Sequence, residues 1–68
     1  IPSDTVLIGE IGLAGETRIV SSIDKRILEA KKLGFTRCVI PAKNKLLSEI
    51  KGMEIIRVSS LREVFSKL

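Results

Sequence analysis

The chain has 68 residues, 44% of them hydrophobic and 29% charged, and twelve Lys and Arg against eight Asp and Glu give a formal net charge of +4. That length makes one small domain, and a core of that size rarely supplies more than about 3–5 kcal/mol. A single cysteine excludes an internal disulfide, and a chain without histidine has almost no means of building a structural zinc site.

In chain order, Ile1-Pro2-Ser3-Asp4 reads as a turn and Thr5-Val6-Leu7-Ile8 as a buried strand. Gly12 and Gly15 bracket a loop, and Glu16 to Val20 reads as the strand returning from it, so the opening is a β-hairpin. Ser21-Ser22-Ile23-Asp24 predicts a helix start with near capping-box spacing and a serine cap. Ile23, Ile27 and Ala30 share one face of that helix, flanked by Leu28, while Lys25, Glu29 and Lys32 lie opposite, with Glu29 able to pair with either lysine. Gly34 ends it as the residue beyond the C-cap.

Phe35 follows, and Thr36 to Ile40 is a second buried strand stopped by Pro41. Lys45 to Ile50 predicts a short amphipathic helix with Leu46, Leu47 and Ile50 inward, ending near Gly52. Glu54 to Val58 is a further strand, and Ser60 with Glu63 forms a full capping box for a last helix striped by Leu61, Val64, Phe65 and Leu68. The expected architecture is therefore α/β, a β-hairpin followed by α-β-α-β-α, with a mixed sheet covered mostly on one face. Residues 1–68 form a single domain, and a chain that begins at Ile1 is expected to be a fragment. No apolar run approaches the ~20 residues of a membrane span. With no leader and a lone thiol, the expected location is the cytoplasm, with no membrane partner.

The glycines at 9, 12 and 15 match neither common phosphate-loop spacing, and no helix opens directly after Gly15, so they read as turn residues. A Ser/Lys dyad from Ser21 or Ser22 with Lys25 would need a lysine depressed by burial, yet Lys25 sits among Asp24, Arg26 and Glu29 on a solvated helix face. Cys38 reads as a small core residue. Lys25, Arg26, Lys31, Lys32, Arg37, Lys43, Lys45 and Lys51 gather in the middle of the chain against Asp24, Glu29 and Glu49. Such a set is either a solvated face or one that holds DNA phosphates without reading sequence. Phe35 and Phe65, the only aromatics, both read as core, which argues against a stacking platform for single strands.

The run Gly9-Glu10-Ile11-Gly12-Leu13-Ala14-Gly15-Glu16-Thr17-Arg18, then Val20, the helix from Ile23 and Lys32-Leu33-Gly34-Phe35, resembles the C-terminal Lon-protease-like domain of the RadA (Sms) family of bacterial DNA repair and recombination proteins. Arg37 to Pro41 with Lys43-Asn44, and Gly52 to Val58, extend the resemblance over nearly the whole chain. The resemblance implies the C-terminal half of a Lon-like, ribosomal protein S5 domain 2-type fold. Lon proteases carry the lysine of a Ser-Lys dyad in a G-G-[IL]-K-E-K stretch where this chain has Ser21-Ser22-Ile23-Asp24-Lys25-Arg26, which puts Asp24 at the lysine position. Lys25 is one residue along, a rotation of about 100° on a helix. The dyad serine belongs to a preceding segment.

The resemblance thus implies a module without enzymatic activity in a ring-forming, DNA-dependent ATPase whose other parts use ATP, Mg and Zn. None of those three is expected to bind these residues. The module's implied work is scaffolding and oligomerisation, with phosphate contact by Lys25, Arg26, Lys31, Lys32, Arg37, Lys43 and Lys45. Self-association through an uncovered strand edge is expected, and no small-molecule substrate. The alternative is the C-terminal half of an ATP-dependent Lon-type Ser-Lys peptidase domain.

Overall fold

The computed structural model describes residues 3–67; the turn expected at Ile1-Pro2 and the stripe position Leu68 lie outside them. The elements are β1 (Thr5–Leu7), β2 (Glu10–Ile11), β3 (Thr17–Arg18), α1 (Ile23–Lys32), β4 (Arg37–Pro41), β5 (Glu54–Val58) and α2 (Leu61–Lys67). The fold is α/β with parallel and antiparallel pairing both present. β1, β4 and β5 form a parallel sheet in the order β1-β4-β5, and β2 pairs antiparallel with β3 in a separate ribbon.

β4 is central and apolar on both sides, as a strand buried on two faces requires. Its register runs Val6↔Cys38 against β1 and Cys38↔Ile55 against β5. Alternate residues point to opposite faces of a strand, and the core divides accordingly. Cys38 and Ile40 pack with Ile23, Ile27 and Ala30 of α1 and with Ile50 and Met53. Val39 and Val58 pack with Val64 of α2. Helices therefore cover both faces rather than mostly one, because the chain leaving β5 crosses to the side opposite α1. That second cover is thin. A seven-residue helix buries only Val64, and Leu61 and Phe65 stay 42% and 73% exposed. Phe65 is thus not core, whereas Phe35 packs against the α1 cluster.

The turn at Gly12–Gly15 does close a hairpin, but its outgoing strand is not Thr5 to Ile8. β1 lies beside β4 instead, and Ile8 N–H donates to the Val39 carbonyl at 2.9 Å. Beside β4, Val6 and Ile8 reach the α1 core, burial that a lone two-stranded ribbon cannot provide. The chain then passes Gly9, where a Cβ would sit 3.1 Å from the Pro41 ring, and folds into the β2–β3 ribbon with Glu10 opposite Arg18. Thr17 ties this ribbon down: its N–H donates to the Ser59 carbonyl at 3.0 Å and its hydroxyl to the Val58 carbonyl at 2.8 Å.

The helix predicted at Lys45 to Ile50 does not form, so β4 leads to β5 through an irregular connection and the order is α-β-β-α after the ribbon. Six residues are too few to stabilise a helix on their own, and side chains from elsewhere take this backbone. Both Asp24 carboxylate oxygens accept the Leu47 N–H, at 3.1 and 3.2 Å. Ile50 is buried and Leu46 partly so, but Leu47 points outward at 92% exposure.

The two serine junctions differ. Ser22 occupies the N-cap of α1 with φ 55° and makes no side-chain cap, since its left-handed backbone departs from the extended conformation in which a serine hydroxyl reaches the first-turn N–H groups. Ser60 does cap α2, its hydroxyl accepting the Glu63 N–H at 3.3 Å, while the Glu63 carboxylate reaches the Ser59 N–H rather than that of Ser60. The end of α1 follows the sequence closely. Gly34 N–H donates to the Lys31 carbonyl and Phe35 N–H to the Ala30 carbonyl, a Schellman closure with Gly34 at φ 97°.

Candidate nucleic-acid interface

The cations expected to hold phosphate do not form one patch. α1 separates them, ten residues or about 15 Å long. Lys25 and Arg26 lie in its first turn. Lys43 and Lys45 join them there, because Asn44 between them binds Val20 and Leu47 binds Asp24. Lys31 and Lys32 lie in the last turn, and the Lys31 side chain passes 3.5 Å from where a Cβ on Gly52 would stand, beside Lys51. Arg37 enters β4 at this second end. Its Nε lies 3.6 Å from a Glu54 oxygen, the residue opposite it in the sheet.

The two ends differ in how their cations are held. Asn44 is 7% exposed, and its amide reproduces a strand pairing: Oδ1 accepts the Val20 N–H and Nδ2 donates to the Val20 carbonyl, each at 3.0 Å. Arg57 donates to the carbonyls of Ala42 and Asn44 and so clamps the Lys43–Lys45 turn from β5. Lys67 in turn donates to the Arg57 carbonyl at 3.0 Å. Arg26 Nε donates to the Ser21 carbonyl at 3.1 Å, which fixes the guanidinium over a cleft of about 310 Å³ lined by Ser21, Ser22, Lys25, Arg26 and Glu29. Among the described residues the ion pairs are Glu16–Arg18, Glu54–Arg37 and Glu63–Lys67. Glu29 makes none with Lys25 or Lys32.

Asn44 and Arg57 were not singled out as functional residues by their sequence. The available signals were an asparagine between two lysines just after a proline, and an arginine interrupting an apolar strand. Neither says what the side chain meets.

The glycine loop does not fit a phosphate. Gly12 and Gly15 N–H groups donate to the Glu16 and Gly12 carbonyls, and Ala14 N–H donates to the Glu16 carboxylate. These amides serve the turn. Among the described residues no group of three or more His, Cys, Asp or Glu could hold a metal ion, and no helix is long and apolar enough to cross a membrane. Cys38 is buried with its Sγ 3.5 Å from Met53 Sδ, and burial pushes its thiol above the usual range.

No protein-family model matches the chain. Individual proteins do. "DNA repair protein RadA" of Haemophilus influenzae is 43% identical over 68 residues, all of this chain and 15% of that protein. The RadA proteins of Escherichia coli and Bacillus subtilis are 46% identical over 66 residues and 49% identical over 63, covering 97% and 91% of this chain and 14% of each relative. The chain thus spans about a seventh of the relatives it matches. With identity of this order sustained over essentially all its residues, the chain belongs to the RadA family of DNA repair proteins.

Proposed function

We propose that the chain is a non-catalytic scaffold and oligomerisation module of Lon-like fold in a cytoplasmic RadA-type DNA repair and recombination protein, and that it contacts DNA phosphates without reading sequence. The observation that carries the DNA contact is the set of exposed cations around α1 with no ion-pair partner among the described residues: Lys25, Arg26, Lys31, Lys32, Lys43, Lys45 and Lys51. Unneutralised cations of this kind exchange counterions with a phosphate backbone. The DNA repair role for which the relatives are named supplies a polyanion as the natural partner.

The scaffold part is supported by β1, an edge strand of the parallel sheet, and by Leu7, Ile11 and Phe65, which are 44%, 49% and 73% exposed. An open edge beside apolar surface invites another chain or another segment. The absence of catalysis rests on Asp24, which occupies the lysine position of the Lon resemblance and spends its carboxylate on Leu47. ATP, Mg and Zn are assigned to other parts of the longer protein.

Two assays on one preparation test this reading. Retention of a labelled duplex on native gels, abolished by moderate salt, is the expected outcome, together with no cleavage of casein by the protein or its Asp24→Lys variant. Casein cleavage by the unsubstituted protein would establish the Lon-type peptidase instead, and a duplex left unbound at low salt would remove the DNA contact.

A further inference from the structure

β3 is bonded along both of its sides, to β2 on one and to the segment entering α2 on the other. On that second side Thr17 N–H donates to the Ser59 carbonyl and Leu61 N–H to the Gly15 carbonyl, so β2 is left as the outer strand of the ribbon. Opposed residues of an antiparallel pair alternate between bonded and non-bonded. Gly12 N–H donates to the Glu16 carbonyl at 2.8 Å, which makes Ile11 and Thr17 the non-bonded pair beside it. Thr17 N–H accordingly points outward, to Ser59. The Ile11 N–H and carbonyl point outward from the opposite edge, where neither has a partner among the described residues.

Ile11 also borders a cavity of about 130 Å³, walled by Leu7 of β1, Val39 of β4, Val58 of β5, and Leu61 and Val64 of α2. The Thr17 hydroxyl in its wall is spent on the Val58 carbonyl, so the cavity suits an apolar group. An apolar cavity of roughly 150 Å³ holds one benzene ring, whereas pockets for drug-sized ligands begin at about 300 Å³. The space therefore fits a single side chain. Leu7, Ile11 and Leu61 are half-exposed, so it is open to one arriving from outside.

Residues opposite one another on neighbouring strands point to the same face, and successive residues to opposite faces. A strand laid on the β2 edge thus puts the residue facing Ile11 on the cavity side and its neighbour on the side of Glu10. That second side carries Glu10 and Glu16 against Arg18. Arg18 lies opposite Glu10 but pairs with Glu16 at 3.8 Å, so Glu10 has no ion-pair partner among the described residues. We propose that the β2 edge and this cavity together dock an extended segment of a partner protein. The segment adds antiparallel to β2, buries one leucine- or isoleucine-sized side chain beside Ile11, and sets a lysine or arginine next to that anchor against Glu10. Backbone bonds supply the affinity, and the cavity and the carboxylate supply the selectivity. This rests on the scaffold reading and names the chemistry of what the open edge takes.

The test is fluorescence anisotropy of a labelled, end-blocked peptide, Thr-Thr-Leu-Lys-Thr-Thr, titrated with the full chain. Saturable binding is expected, weakened by more than about tenfold when alanine replaces the peptide leucine and by about fivefold when glutamate replaces its lysine. Methylating the leucine amide nitrogen, which removes the donor to the Ile11 carbonyl, is expected to abolish binding. Methylating the lysine amide, which points away from β2, is expected to be tolerated. Glu10→Lys, an exposed substitution, is expected to reverse the preference in favour of the glutamate peptide. Equal affinity for the alanine peptide, equal losses from the two methylations, or an unchanged preference in Glu10→Lys would overturn the assignment. Phe65 lines no part of the cavity, so self-association through it is expected to persist in the presence of peptide. Self-association that the peptide displaces would give the edge to a second copy of the chain and overturn the partner segment. A protein that self-associates in sedimentation but leaves the peptide free would overturn the docking site alone, and one that does neither would overturn the scaffold reading with it.

Discussion

At the level of single residues, Val-Ser-Ser occurs twice before a helix, and only one copy caps. Ser60→Ala should therefore cost about 1 kcal/mol, whereas Ser22→Ala should stay within about 0.5 kcal/mol. Ser22→Gly should leave stability unchanged or raise it by up to ~1 kcal/mol, because it relieves a left-handed backbone. Urea midpoints of the three variants check this, and a loss at Ser22→Ala equal to that at Ser60→Ala would restore the cap. The distinction was not legible in the sequence. It depends on the left-handed backbone at Ser22, which the repeated Val-Ser-Ser spelling does not reveal.

The identity of Cys38 as core was legible, because it sits in an apolar β-branched run. Its thiol is pushed up from the ordinary 9.0 by burial, so the folded state holds the proton more tightly than the unfolded chain. The stability this represents is complete below pH 9.0 and is lost as pH rises through the folded value. Urea midpoints measured across the alkaline range should fall above pH 9.0, and the Cys38→Ala protein, though less stable throughout, should lack that limb.

Among the elements, α1 was the most legible, from its apolar face through its basic last turn to the Gly34 closure, since every signal for it lies within fifteen residues. The connection between β4 and β5 was the least. Leu46, Leu47 and Ile50 have spacing that a helix would use, but three apolar residues in six positions also fit an irregular segment. Asn44, Arg57 and Asp24 decide the matter through bonds to Val20, to two carbonyls and to Leu47. In consequence Leu47→Gln should change stability by less than about 0.5 kcal/mol, while Ile50→Ala should cost about 2–4 kcal/mol. Comparable losses at the two positions in urea unfolding would indicate that Leu47 is buried after all. The first strand was recognised as a strand, but its partner was misread, because alternation and apolar content describe a strand's faces and say nothing of which edge it joins.

For the molecule as a whole, the unevenness of cover over the sheet matters most. α1 buries its face well, whereas the seven-residue α2 leaves Phe65 73% exposed and Leu7 44% exposed. That much was hidden in the sequence, where Phe65 fell on the apolar stripe of its helix. Self-association through this face follows from the scaffold reading, and Phe65→Asp should weaken it in sedimentation equilibrium without shifting the urea midpoint appreciably. The sequence also showed the basic set in full but not its division, since the chain separation of Lys31 from Lys45 does not reveal that α1 carries them to opposite ends.

The salt dependence of duplex binding by the unsubstituted protein tests the central claim most directly. The seven exposed cations without an ion-pair partner bound the slope of log K against log salt on B-form DNA at about −6, from roughly 0.9 per phosphate neutralised, and phosphate contact predicts a clearly negative slope within that bound. A slope near zero would contradict phosphate contact altogether.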